Sequence, residues 1–411
     1  MSQTKLMILG ASPLQLPLIQ RAVERGCYVI VVSPGKDEVG KRFANIGLEA
    51  DVRDFEYIYK KASEIGIDGI TTDQTDITVR TVAYISEKLG LPGIGYKTAM
   101  LFTDKYLMRE KCNELGIPTL AYSLCNNYEE AEDFFERLDR DAIIKPIDSQ
   151  GSRGVYYIDS LRKLKEVFSQ AISYSKEKKI LIERFVKGRE FVVEGVSVDY
   201  RFRNLMIGDT YYFNIPDVYS AFQRVFPSDA PNEIQIKIGD INKKIIEGFG
   251  LRQGITHSEY IVDGEDIFLI ETAARGGGVY ISSDLIPLAT GLNVEDFLID
   301  TAIGENVKIN IRETMENACC YVAFYLPAGI IKEINGIQEV RELPFTWRDN
   351  FDDIKIGERT KPISDKTSRY NVSLFGKDRM ELRQHVDKVR NLLSGVLVQN
   401  DSGILEGPIW E

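Results

Sequence analysis

A chain of 411 residues with 44% hydrophobic and 27% charged side chains has the make-up of a soluble globular protein. At about 150 residues per domain it suits two or three domains, which excludes a disordered chain, a collagen-like fibre and a disulfide scaffold. With 51 basic against 62 acidic residues the net charge is -11, which suits neither nucleic acid nor an anionic membrane as a general partner but leaves room for a local phosphate pocket.

Residues 1–100 alternate strand and helix signals. An apolar run over 5–9 ends in Gly10, and an amphipathic stretch then continues through Arg25 to a stop at Gly26. Residues 28–32 read as a buried strand closed by Ser33-Pro34-Gly35. A further run at 68–72 and a helix over 77–89, with Gly90 as its C-cap, continue the pattern. Such alternation predicts βαβ units and a parallel sheet with a crevice at the strand ends. A turn-rich boundary follows at 91–98.

The middle changes character. Residues 104–115 read as a helix capped by Asp104 and closed by Gly116, and 143–146 and 155–158 as short strands around a polar loop. β-Branched residues are dense over 180–199. Within 251–272 two strand runs flank Asp263-Gly264, a hairpin signal. From about 311 come strand-like segments and a charged amphipathic helix near 377–393. Repeats, heptads and low-complexity tracts are absent.

Cys27, Cys112, Cys125, Cys319 and Cys320 are an odd number without metal-ligand spacing, and read as reduced, buried small hydrophobes of a cytosolic protein. The start has no signal-peptide pattern, and no window approaches the roughly 18 apolar residues of a membrane span. The expected compartment is the cytoplasm.

Two glycine motifs invite a nucleotide reading and fall short of it. Gly10-Ala-Ser-Pro-Leu-Gln15 sits where a dinucleotide fingerprint belongs but lacks its second and third glycines. The run from Gly35 to Gly40-Lys41 has phosphate-loop spacing, yet Arg42 stands where Ser or Thr must hold Mg2+, and Asp37 and Glu38 lie inside the cradle.

A distributed constellation is stronger. Lys105 opens the capped helix. Lys145 lies on an apolar strand, where an ammonium needs an anionic partner or must reach out. The loop Ser149-Gln150-Gly151-Ser152-Arg153-Gly154 can fold its backbone amides over phosphates. Glu183 and Glu190 bracket Phe185-Val186 behind an apolar run that suits adenine. His257 and Glu259 share a strand face, and Glu271 lies on the hairpin partner, followed by Arg275-Gly276-Gly277-Gly278. Two carboxylates from adjacent strands suit Mg2+ held together with phosphates.

At these residues (FTDKYLMRE, IIKPIDSQGSRGV, ERFVKGREF, HSEY and IETAARGGG) the chain resembles the ATP-grasp superfamily, whose members bind ATP between two α+β subdomains. The resemblance covers almost the full length. It implies a pre-ATP-grasp domain at 1–100 with a parallel sheet, an ATP-grasp core with its lid at 101–310, and a C-terminal α+β part at 311–411. The branch is that of carbamoyl-phosphate synthase and biotin carboxylase, and within it the chain looks most like stand-alone carboxylate–amine ligases, including L-amino-acid ligases.

The resemblance assigns Lys105 and Lys145 to the ATP phosphates, and Ser149, Gly151, Ser152 and Gly154 to the lid loop. Glu183, Phe185 and Val186 would line adenine, and Glu190 the ribose. Glu259 and Glu271 become ligands of Mg2+, with Mn2+ as a substitute. Arg275, Lys145 and His257 form the expected catalytic set, with His257, Arg275, Gly276, Gly277 and Gly278 on the substrate side; a satisfied core histidine is the alternative for His257. The substrate pocket is expected near Tyr211, Tyr212, Asp217 and Arg224 and around 280–283. Many members carry Asn where this chain has Ala273, which puts the second Mg2+ in doubt.

The activity implied is ATP-dependent joining of a small-molecule carboxylate to an amine through an acyl phosphate, with neither nucleic acid nor membrane as partner and a homodimer as the default assembly. The alternatives are a bicarbonate-activating enzyme and an ATP-binding protein that has lost catalysis.

Overall fold

The computed structural model describes residues 3–138, 141–149, 151–216, 218–305, 307, 309, 315, 317–360, 363 and 368–411. The chain forms two compact units, each assembled from three stretches. The first comprises Met1–Leu120, Val193–Ile207 and Ala230–Glu313, the second Ala121–Val192, Gly208–Asp229 and Thr314–Glu411. The boundary expected at 310–311 lies outside the described residues.

The strands in chain order are β1 (Lys5–Leu9), β2 (Tyr28–Ser33), β3 (Ile46–Glu49), β4 (Gly69–Thr71), β5 (Tyr122–Cys125), β6 (Ala142–Pro146), β7 (Tyr156–Ile158), β8 (Ile180–Arg184), β9 (Arg189–Val198) and β10 (Arg201–Tyr212). They continue with β11 (Ala221–Phe226), β12 (Gly254–Asp263), β13 (Asp266–Ala273), β14 (Ala318–Phe324), β15 (Ile330–Ile334), β16 (Thr346–Asp349), β17 (Tyr370–Gly376), β18 (Val396–Gln399) and β19 (Leu405–Glu406).

In the first unit β1–β4 make the expected parallel sheet, ordered β3-β2-β1-β4. The continuous apolar runs of β1 and β2 suit strands covered on both faces, and Met7, Leu9, Ile30, Val32 and Ile70 share a core with Ile58 and Ala62 of the helix Phe55–Ile65. That helix begins at Asp54, whose side chain accepts from Tyr57 N, and stops at Gly66 with φ 66°. The loop after β4 opens at the carboxyl end of the sheet, where the order reverses between β1 and β4. Ligands of open α/β sheets gather at such a point. The same unit holds β12 and β13, with the order β13-β12-β9-β10; Gly264, at φ 62°, makes their predicted turn.

In the second unit β5-β8-β6-β7 form an antiparallel sheet. Ile144, Ile158, Ile180 and Ile182 pack there against Ala131 of the helix Tyr128–Leu138 and Leu164, Val167, Phe168 and Ala171 of the helix Leu161–Ser173. The unit also holds a run of paired strands ordered β10-β11-β14-β17-β16. Beside it the predicted charged helix spans Arg379–Leu393 and buries Leu382, Val386, Val389 and Leu393. Cys319 and Cys320 lie in the fully buried β14, and all five cysteines are free thiols. Among the described residues no helix is long and apolar enough to cross a membrane.

Candidate active site

In the first unit β12 and β13 pair with His257 opposite Ala273, Ser258 opposite Thr272 and Glu259 opposite Glu271. Opposed residues of an antiparallel pair share a face, and alternate residues return to it. His257, Glu259, Glu271 and Ala273 therefore lie on one face, while the Ser258 and Thr272 hydroxyls meet on the other at 2.8 Å. After Glu259 the register slips and Tyr260 opposes Leu269. Ile270 is thus the extra residue of a bulge, a device that re-aims neighbouring side chains.

The bulge also docks a helix. Arg109, buried on the helix Lys105–Glu114, donates from Nη2 to Ile270 O at 2.7 Å. Lys105 sits one turn earlier on the same side, and its Nζ reaches Glu271 Oε1 at 2.9 Å. Asp104 starts the helix as predicted, its Oδ1 accepting from Tyr106 N and Leu107 N at 2.9 and 3.0 Å.

His257 is buried between two carboxylates. Its Nδ1 lies 2.5 Å from Glu194 Oε1 and its Nε2 3.2 Å from Glu259 Oε1. Glu194 is itself fully buried in the middle of β9. Both ring nitrogens are engaged, the arrangement of a satisfied buried histidine.

Past β13, Arg275 donates from Nε and Nη2 to Asp76 Oδ1 and Oδ2 at 2.8 and 2.9 Å, and from Nη1 to Gly276 O at 2.9 Å. Burial pushes the Asp76 carboxyl up, but the charge and hydrogen bonds of Arg275, with the charges of Lys105 and His257, more than reverse this and hold it below the usual range. Burial likewise opposes the Arg275 guanidinium, and Asp76, Glu271 and Glu194 outweigh it and raise its pKa. A Cβ on Gly276 would stand 2.0 Å from Ser282 Oγ, and one on Gly277 2.7 Å from Glu194 Oε1, whereas one on Gly278 would meet nothing within 4 Å. Close approach to the chain's own side chains accounts for the first two glycines.

Among the described residues no three His, Cys, Asp or Glu side chains are grouped to hold a metal ion. Glu259 and Glu271 offer hard oxygen donors on one face, which fits Mg2+ once phosphate oxygens and water complete the shell.

The second unit carries the other predicted residues. Glu183 on β8 opposes Ile143 on β6. Lys145, two residues from Ile143, is therefore its diagonal neighbour on the same face. The Lys145 ammonium pairs with Glu183 Oε2, both side chains being buried. This is the anionic partner that a lysine on an apolar strand requires.

In the loop at 149–154, Gly151, Ser152 and Gly154 adopt φ of 70°, 60° and 77°, a winding that can turn backbone amides toward an anion. Ser152 Oγ donates to Tyr219 O at 2.9 Å. Gln150 lies outside the described residues. Phe185 N donates to Asp141 O at 2.8 Å, and the Phe185 ring meets Tyr157 edge-on at 4.8 Å; Val186 is buried. Glu190 accepts from Tyr212 Oη at 2.7 Å and, with Arg189, Tyr211, Tyr212, Phe222 and Asp229, borders a cavity of about 640 Å3. Arg224 is buried on β11, and Asp217 lies outside the described residues.

The structure thus gathers Lys105, His257, Glu259, Glu271, Arg275 and the three glycines within the first unit. Lys145, the 149–154 loop, Glu183, Phe185, Val186 and Glu190 lie within the second. The two rejected motifs are internally filled. Gln15 Oε1 takes Ser12 N and Ser12 Oγ at 3.2 and 2.6 Å, and Lys41 Nζ donates to the carbonyls of Ser33 and Gly35 at 3.0 and 2.6 Å.

Residues 138–284 match the model of the ATP-grasp domain. Over that stretch the chain is similar to ATP-grasp domains. The alanine–anticapsin ligase of Bacillus subtilis strain 168 is 28% identical over 60% of this chain and 56% of its own length. An L-arginine-specific L-amino acid ligase of Bacillus subtilis is 22% identical over 66% of each chain. The chain spans 56% to 61% of the length of the alanine–anticapsin ligases it matches. The crystal structure of an L-amino acid ligase from Bacillus licheniformis superposes with a TM-score of 0.81 at 20% identity, covering 97% of this chain and 100% of that one. The chain therefore has the ATP-grasp fold.

Asp73, Asp76, Glu194 and Arg109 escaped the sequence reading. Glu194 was the most legible of them, a carboxylate inside the apolar run Phe191-Val192-Val193-Glu194-Gly195-Val196 that cannot stay buried without partners.

Proposed function

We propose that the protein is an ATP-dependent carboxylate–amine ligase. In this reaction a substrate carboxylate oxygen attacks the γ-phosphorus of ATP and ADP departs. An amine then attacks the acyl carbon of the resulting acyl phosphate, and the tetrahedral adduct expels phosphate to leave an amide or peptide bond. The observation that carries the reading is the meeting of Lys105, Glu259 and Glu271 at the β12–β13 pair, with Arg275 close enough for Glu271 to raise its pKa.

Fixed positive charge aimed at a transferring phosphoryl group is the main source of catalysis in such chemistry. In this reading Lys105, Lys145 and Arg275 supply it. Mg2+, or Mn2+ in its place, held by Glu259 and Glu271 with phosphate oxygens, would neutralise further phosphate charge. The 149–154 loop covers the phosphates and keeps water from the acyl phosphate; Glu183, Phe185 and Val186 take the adenine and Glu190 the ribose. His257, held at both nitrogens, orients Glu259. Gly278 has open space on the substrate side.

The names of the curated relatives, ligases of alanine with anticapsin and of L-amino acids, support an amino acid as one of the two substrates. We also propose the cytoplasm as compartment, a homodimer as assembly, and 1–100, 101–310 and 311–411 as successive functional segments.

Hydroxylamine trapping tests the acyl phosphate. With ATP, Mg2+ and a mixture of the proteinogenic L-amino acids, hydroxylamine in large excess over their amino groups should yield hydroxamates in step with ADP, and Glu271→Ala should abolish both. ADP formed without hydroxamate would exclude this route.

A further inference from the structure

Three carboxylates from the first unit hold three consecutive residues. Asp76 grips the Arg275 guanidinium through both oxygens at 2.8 and 2.9 Å. Asp73 Oδ1 accepts from Gly276 N at 3.0 Å. Glu194 Oε2 accepts from Gly277 N at 3.3 Å. A fourth contact comes from Gln74, whose Oε1 accepts from Tyr280 N at 2.9 Å while its Nε2 donates to Leu14 O at 3.0 Å.

Several of these parts are costly to maintain. Asp73 and Glu194 are buried, and a buried carboxylate is tolerated only with partners. Gln74, Val279 and Tyr280 hold φ of 57°, 56° and 60°, which is strained for residues with a side chain and most of all for β-branched Val279. The loop after β4 and the segment after β13 therefore meet as two shaped surfaces, and Arg275 has two of its nitrogen donors directed by that contact while the third is held by Gly276 O of its own segment. A guanidinium otherwise carries considerable rotamer freedom.

We infer that the loop 73–76 is a positioning element for Arg275, with Asp76 as the positioning residue that sets the guanidinium for the γ-phosphoryl group. The inference rests on the role given to Arg275 under Proposed function. Asp76 acts through the arginine and does not itself touch nucleotide.

The test compares the affinities of ADP and of the β,γ-imido analogue of ATP by calorimetry in the presence of Mg2+, in the full chain. The ratio of the two dissociation constants measures how well the γ-phosphoryl group is held. The wild-type chain should favour the imido analogue; Arg275→Ala and Asp76→Asn should each reduce that preference about tenfold, the loss expected for one charge-assisted contact, with ADP affinity unchanged. The double variant should lose no more than Arg275→Ala alone. A wild-type preference retained in Asp76→Asn but lost in Arg275→Ala overturns the positioning role and leaves the ligase reading intact. A preference retained in Arg275→Ala overturns the phosphoryl role of Arg275 and the inference with it. Losses that add in the double variant show Asp76 acting independently of Arg275 and also overturn the inference. If Asp76→Asn does not fold, Asp76→Glu replaces it, since a longer arm must move the guanidinium; full wild-type preference in that variant counts against the role.

Discussion

His257 and Ala273 are direct register partners across β12 and β13, on the face that also carries Glu259 and Glu271. The position where many ATP-grasp chains place an asparagine oxygen thus offers only a methyl group, and the imidazole opposite it is tied to Glu194 and Glu259. On β12 and β13 themselves the carboxylates of this face are therefore the two glutamates.

Manganese titration followed by electron paramagnetic resonance, with ADP present, should accordingly find one tightly bound ion per chain. Glu259→Gln and Glu271→Gln should each weaken it at least about tenfold, the lower bound of what losing even an outer partner of a metal ligand costs. Two equally tight ions per chain would contradict this donor count.

Replacing Lys145 by alanine removes the ammonium that faces the buried Glu183 carboxylate. The loss should be about 3–5 kcal/mol in urea unfolding, as for other broken buried pairs. Removing both charges, in Lys145→Met with Glu183→Leu, should restore most of that stability. Equal losses in the single and double variants would mean that the pair is not buried.

The three glycines after Arg275 should respond unequally to alanine. At Gly276 the new Cβ would meet Ser282 Oγ at 2.0 Å, and at Gly277 it would meet Glu194 Oε1 at 2.7 Å. Each change should cost about 1–3 kcal/mol as overpacking. Gly278→Ala has room and should stay within about 0.5 kcal/mol of the parent. Thermal melts of the three variants check the order.

How much of this was legible depended on the range of the signal. Strands β1, β2 and β4 of the parallel sheet, the Asp104 cap and the Asp263-Gly264 turn are local patterns of hydrophobicity and turn chemistry, and each forms where expected, whereas β3 went unread. The lysine on an apolar strand predicted a partner anion, and Glu183 is that partner. Asp73 and Asp76 gave no such signal, because the contacts that matter to them lie some two hundred positions away at Gly276 and Arg275. The bulge at Ile270 was equally hidden, since it depends on how two strands slip against each other and not on either strand alone. The helices Tyr128–Leu138, Leu161–Ser173 and Asn232–Gly248 also went unread beside the louder motifs.

Stability should fall as pH rises toward mild alkali. Burial, reinforced by the charges of Asp73, Asp284 and Asp296, pushes the Glu295 carboxyl up to about 8, and burial pushes Asp73 up to about 6. The folded chain keeps protons that the unfolded chain releases, so this stabilisation is complete below the ordinary carboxylate range and is lost as pH rises through the folded values. Glu295→Gln should flatten the profile and stabilise the protein at about pH 9 by up to a few kcal/mol, because each tenfold change in proton affinity is worth about 1.4 kcal/mol. Melting temperatures of the two chains across this range decide the matter, and parallel profiles would contradict it.

Ligase activity is tested most directly by phosphate release from ATP and Mg2+ with pooled amino acids, organic acids and sugar acids, each set paired with pooled amines. A carboxylate–amine ligase gives release that requires both an acid and an amine, yields ADP in equal amount and disappears in Glu271→Ala. Nucleotide binding with no pool exceeding the Glu271→Ala variant would contradict that activity and favour a chain that holds ATP without using it.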